Sequence, residues 1–179
     1  MSRVARILLL SALSACAQLE TPAPADTEFD LAGRLGARYG DQSFSGNLTW
    51  RHGRSSDELL ISTPLGQGVA RILREGDAVT LSTAEPREYR AADAESLTEQ
   101  VLGFRLPLQG LADWVRARPA ADSPATMARS ADGRLERLEQ RGWQIEYLEY
   151  ADARPAPLPS RLRLIYPGIE LRLVISRWN

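Results

Sequence analysis

Lysine occurs nowhere in this chain of 179 residues, and every one of its 22 basic side chains is arginine. That absence removes Schiff-base amines and the phosphate-binding lysine of a P-loop. Histidine and cysteine occur once each, as His52 and Cys16. A lone cysteine has no disulfide partner, and a lone histidine without clustered cysteines or carboxylates does not complete a metal site. His52 stands in "RHGRSS" and reads as an exposed residue of a hairpin tip. A hydrolase triad would need it as base, and neither the Gly-x-Ser-x-Gly elbow nor a dinucleotide fingerprint is present. Glu146 and Glu149 could in principle form a glycosidase pair, but they read as solvated strand charges. No long hydrophobic run exists either: the uncharged stretch from Ile7 to Leu19 is thirteen residues, against roughly 20 for a spanning helix. The composition points away from an enzyme and from any metal or dissociable cofactor.

What is present begins at the amino terminus. "MSRVARILLLSALSA" has a basic start, an apolar run and small residues ahead of Cys16, the build of a secretory signal peptide over residues 1–15. "LSAC", residues 13–16, matches the bacterial lipoprotein box, so Cys16 is expected to become the lipidated first residue. Acyl chains contribute about 0.8 kcal/mol per buried methylene, and more than one chain gives stable anchoring. Arg3 and Arg6 leave with the leader, which lowers the net charge of −1 by two. A mildly acidic chain disfavours nucleic acid as a partner. Residues 16–28, with "QLETPAPADTE", read as the lipidated terminus and an extended tether, and residues 29–179 as one domain.

The domain reads as mainly β, in the α+β class. "FSGNLTWR" alternates Phe44, Gly46, Leu48 and Trp50 against Ser45, Asn47, Thr49 and Arg51, a half-buried strand. "FDLAGRLGARY" alternates likewise and joins it through a turn at residues 40–42. Further strands are expected at "DELLIST", "GVARILRE", "AVTLST", "WQIEYLEY", "RLRLIY" and "IELRLVISRW", the last two joined by a type II turn at Pro167-Gly168. Between them, Ser96 and Glu99 stand at capping-box spacing before a short helix that Gly103 ends. Leu108, Leu111, Trp114 and Val115 then mark a second amphipathic helix running towards Pro119.

Several of these features occur together and in order: the lipoprotein box, a strand ending in Trp50, the "PLG" turn at residues 64–66, a helix carrying Trp114, "GW" before a tyrosine-rich strand, and Trp178 close to the end. In that set, from "LAGRLGARY" to "ISRWN", the chain resembles the LolB family of outer-membrane lipoprotein receptors. The resemblance implies an unclosed antiparallel β-barrel under a small helical lid, with a hydrophobic cavity between them. It implies acceptance of acylated lipoproteins from the periplasmic carrier LolA and their release into the inner leaflet of the outer membrane, by a monomer anchored on its periplasmic face. Phe44, Leu48, Trp50, Leu106, Trp114 and Trp143 are the candidates for the cavity wall. In the family the leucine of the "PLG" loop protrudes and serves delivery into the membrane, which assigns that role to Leu65. The competing reading is an envelope scaffold or assembly lipoprotein that binds a protein partner and has no acyl-accepting cavity.

Overall fold

The computed structural model describes residues 26–85, 88–91, 94–152 and 156–179; the leader, Cys16 and residues 17–25 of the tether lie outside them. Alternation dictates the architecture. β1 (Thr27–Tyr39), β2 (Gln42–Gly53), β3 (Ser56–Ser62), β4 (Gly68–Glu75), β5 (Ala78–Thr83) and β6 (Glu88–Ala91) run as a meander. Helices α1 (Ala94–Leu102) and α2 (Leu108–Trp114) follow, and then β7 (Ala125–Arg129), β8 (Leu135–Gln140), β9 (Trp143–Ala151), β10 (Leu158–Tyr166) and β11 (Ile169–Trp178). β1 starts two residues ahead of Phe29, so Thr27 and Glu28 are already strand.

All pairings are antiparallel, in the order β6-β5-β4-β3-β2-β1-β11-β10-β9-β8-β7. The first and last strands of the chain meet in the middle, where Leu35 pairs with Leu173 and Ala37 with Leu171. β6 and β7 are left as the two margins, and the sheet stays open rather than closing into a barrel. One face carries Leu31, Leu35, Leu48, Leu59, Ile61, Ile72, Leu81, Ile145, Leu162, Leu164, Leu171 and Leu173, all buried in one apolar cluster with residues of both helices. Burying each such side chain stabilises by about 1.5–3 kcal/mol.

Both helices deviate from their sequence-based limits. α1 already includes Ala94, so Ser96 sits inside its first turn rather than capping it; the buried pair Ala94 and Leu97, three apart, extends the inward face upstream. Gly103 ends α1 as expected, its N–H bonding to the Glu99 carbonyl at 3.0 Å. α2 stops at Trp114, well before Pro119. Ala117 adopts φ 55°, and Arg118 N–H bonds back to the Asp113 carbonyl at 3.1 Å, a left-handed closure that terminates the helix without a glycine. The type II turn is as expected, with Gly168 at φ 78°.

Candidate acyl-binding interior and protruding loop

The sheet-to-helix space is where the tryptophans converge. Trp50 enters from β2 because it keeps the inward phase of Leu48; its indole N–H donates to Asp57 Oδ1 at 2.8 Å, and its ring meets Phe29 edge-on at 5.0 Å. Trp114 enters from α2 and donates to Gln140 Oε1 at 2.8 Å, with the ring of Trp143 at 6.4 Å and Tyr166 beyond that at 5.1 Å. Leu106 lies in the short link between the helices, its N–H held by the buried Thr98 hydroxyl at 2.9 Å. Phe44, only half-buried, stacks towards Phe104 at 6.3 Å. The structure thus brings Trp114 and Trp143 together and distributes Trp50 and Phe44 to separate aromatic groups along the same face.

These side chains are closely packed. Trp50 and Leu106 are 1% exposed and Trp114 is 0% exposed, and a side chain with no accessible surface borders no void that would hold even a water molecule. The interior is closed in this state: where the resemblance implied a hydrophobic cavity between sheet and helices, these side chains fill the space themselves. A recess of about 480 Å³ beside the helices, with Val79, Leu108 and Ala112 among its apolar walls and Asp57, Arg74, Asp77 and Arg116 among its charged ones, marks where sheet and helices already part.

Burial of Leu97, Leu108, Leu111 and Trp114 holds the helices against the sheet, and a small set of polar latches fixes their position. Gln140, buried on β8, accepts from Ala120 N–H at 2.8 Å as well as from Trp114, and donates to the Ala120 and Ser123 carbonyls at 2.8 and 2.7 Å. Tyr147 donates to the Trp114 carbonyl at 2.9 Å, and burial pushes its phenol well above the ordinary tyrosine range. Tyr39 donates to the Leu102 carbonyl at 3.3 Å. Arg116, just past α2, reaches Glu28 at 3.0 Å and lies over the Phe29 ring at 5.2 Å, which fastens the helix to the start of β1. That guanidinium holds the Glu28 carboxyl below the usual range.

The leucine loop is built locally. Gly66 N–H bonds to the Thr63 carbonyl at 2.9 Å and Thr63 N–H to the Gln67 carbonyl at 2.8 Å. Pro64 therefore occupies the second turn position and Leu65, with negative φ, the third, while Gly66 at φ 86° forms the left-handed residue of a bulge. Thr63 is further fixed by Asn47 Nδ2 at 3.2 Å. Leu65 ends up 91% exposed at the tip of a braced hairpin, the most exposed of the large apolar residues described.

His52 differs from its sequence-based placement. It lies within β2 with an 11% exposed side chain, its Nδ1 2.6 Å from Asp57 Oδ1 and its ring 4.8 Å from that of Phe29. Pairing with β1 and β3 carries β2 as far as Gly53, beyond the expected turn. Asp57 is buried and also takes Arg74 Nε at 2.5 Å, so it gathers Trp50, His52 and Arg74 on one carboxylate. Among the described hydrogen bonds none links His52 to a serine, and no group of three or more metal-ligating side chains is clustered among the described residues. Glu146 and Glu149 are held by Arg163 and Arg161 respectively. Asp57 and Gln140 were not singled out from sequence. The available clue for Gln140 was its phase, since it continues the inward side of Leu138.

Comparison with known proteins extends these observations. A sequence-family model described as "Outer membrane lipoprotein LolB" matches residues 27–178. The chain is 42% identical to the outer-membrane lipoprotein LolB of Thiobacillus denitrificans, over all of this chain and 98% of that protein. It is 36% identical to the one from an Azoarcus species, over 93% of this chain and 89% of that protein. Among solved structures, a LolA superfamily protein from Nitrosomonas europaea shares the fold with a TM-score of 0.55 at 12% identity, covering 87% of this chain and 86% of that one.

Proposed function

Because the chain belongs to the LolB family of outer-membrane lipoproteins, we propose that it accepts acylated lipoproteins from the periplasmic carrier LolA and releases them into the inner leaflet of the outer membrane. The lipid on Cys16 holds it on the periplasmic face of that membrane as a monomer. The observation that carries this reading is the pairing of one apolar sheet face, covered by two short helices on a handful of polar latches, with a leucine presented on a braced hairpin.

The physical chemistry needs no nucleotide, metal or covalent step. Cargo acyl chains enter between the sheet wall of Leu48, Trp50 and Trp143 and the helix-side wall of Leu106 and Trp114, so that outward movement of α1 and α2 exposes little apolar surface to water. Each methylene kept from water is worth about 0.8 kcal/mol, which drives chains from a carrier that holds them less well to this interior, and from here to the bilayer. Aromatic walls suit this task because they offer large apolar area with little rotamer freedom. Leu65 acts last, as a wedge. Its insertion is worth about 1.5–3 kcal/mol, too little to hold the domain on a membrane but enough to disturb lipid packing at the point of release.

The test is direct. LolA loaded with a labelled lipoprotein is mixed with the mature chain carrying Cys16→Ser, and the two are separated. Cargo found with the chain supports the reading, and cargo remaining wholly on the carrier overturns it.

A further inference from the structure

The outward face of the sheet carries an uneven charge that the transfer of acyl chains does not explain. β10, β11 and the second half of β1 present Arg34, Arg38, Arg161, Arg163, Arg172 and Arg177 against one acid of their own, Glu170. Arg172 pairs with Glu170 at 2.6 Å, and the neighbouring β9 supplies Glu149 and Glu146 to Arg161 and Arg163. Arg34 and Arg38 are exposed and form no ion pair among the described residues; Glu170 stands opposite Arg38 in the ladder, but its carboxylate is taken by Arg172. Arg163 and Arg172 stand directly opposite each other in the ladder, a like-charge juxtaposition that costs stability. A protein whose net charge is negative has nonetheless gathered cations on three adjacent strands, β1, β11 and β10.

The register places this face next to the leucine hairpin. Arg34 is opposite Asn47, and Asn47 is opposite Ser62, the last residue of β3 before the loop. Two strand spacings put Arg34 about 10 Å from Ser62. On its other side Arg34 faces Val174, which faces Arg161, so the arginine rows run away from the loop across the sheet.

We propose that this outward arginine face, centred on Arg34 and Arg38, binds the phosphates of anionic phospholipids and so sets the angle at which Leu65 meets the bilayer. The inference rests on the reading of Leu65 as the residue that enters lipid. Guanidinium forks match phosphate oxygens, and unpaired arginines give up no internal ion pair in binding them. The face supplies electrostatic attraction along a plane, while Leu65 at its margin supplies the apolar contact.

The experiment uses the mature chain from residue 16, which contains every element described above, with Cys16→Ser to prevent acylation. Its binding to vesicles of phosphatidylcholine, with and without phosphatidylglycerol, is measured by co-sedimentation at low and high salt. Arg34→Gln with Arg38→Gln should lower partitioning onto phosphatidylglycerol vesicles by about fivefold per arginine, and the residual binding should lose much of its salt dependence. Both residues are exposed and unpaired, so the fold is retained. Arg54→Gln with Arg118→Gln makes the same change in net charge elsewhere and should leave partitioning nearly unaltered. An equal fall in both double variants would overturn the proposal in favour of net charge alone. No fall in either would also overturn it, as would slower transfer from carrier to chain in vesicle-free solution, which assigns the face to a protein partner. Leu65→Glu separates the two readings: it should slow cargo release into phosphatidylcholine vesicles, where the arginine variant matches the parent. If Leu65→Glu has no effect there, it is the leucine reading that fails.

Discussion

Asp57 is the residue on which one wall of the interior depends. Its carboxylate receives the Trp50 indole, faces His52 and pairs with Arg74, so Asp57→Ala strands a buried N–H and a partly buried guanidinium together. The expected cost is about 3 kcal/mol, read as a lower urea midpoint with an unchanged slope. Tyr147 makes a pH prediction. Burial raises its phenol in the folded state, whereas the unfolded chain ionises at about pH 10. The folded form then keeps a proton that the unfolded form loses, and stability present below about pH 10 is lost as the pH rises beyond it. Tyr147→Phe should cost about 1 kcal/mol at neutral pH through the lost bond to Trp114, yet lose less stability between neutral and alkaline pH; a parallel decline in both proteins would contradict this. Leu65→Glu should leave the melting temperature unchanged, because the side chain touches solvent, and slow insertion of cargo into liposomes. Leu65 was legible because proline and glycine frame it. His52 was not: "RHGRSS" has the composition of a turn, and the long-range pairing that keeps it in strand has no local signature.

At the scale of elements, alternation was enough for the long strands but not for the margins. β2, β9 and β11 each carry an inward set bounded by polar residues; β9 and β11 formed where the period placed them, and β2 ran on past its expected end to Gly53. β6 has four residues, and β7 has scarcely a buried one, so neither offers a periodic pattern; both are fixed by the neighbour they pair with. The helix limits were set by tertiary contact as well, through Ala94 upstream and the Ala117 reversal downstream. Gln140 joins β8, α2 and the loop after it, and this makes it the sharpest probe of the lid. Gln140→Leu preserves bulk but leaves the Trp114 indole N–H and the Ala120 N–H without acceptors. A destabilisation of about 2–4 kcal/mol is expected, with amide exchange rising first across residues 108–120; uniform exchange over the whole sheet would instead place the latch elsewhere.

For the whole molecule, the open sheet matters as much as its packing. A closed barrel would fix the distance between its walls, whereas this sheet has two free margins at β6 and β7. Helices that sit on an open sheet, tied by Gln140, Tyr39, Tyr147 and Arg116, can shift without breaking a strand ladder. The apolar side of the fold was readable from sequence as one continuous face. Whether that face is filled by its own side chains or by a guest depends on helix position, and no periodicity encodes that. The outward arginines were likewise visible one by one but not as a face, since β1 and β11 lie far apart in the chain and become neighbours only on folding.

The central claim is that the tryptophan-walled interior receives acyl chains. The most direct measurement is tryptophan fluorescence of the mature chain during titration with a lipopeptide whose acyl chains carry bromine, a contact quencher. Saturable quenching is expected that Trp50→Phe, Trp114→Phe and Trp143→Phe each diminish, while Trp178→Phe, at the end of β11, changes it little. Fluorescence that stays constant throughout the titration, or quenching that depends on Trp178 alone, would contradict it.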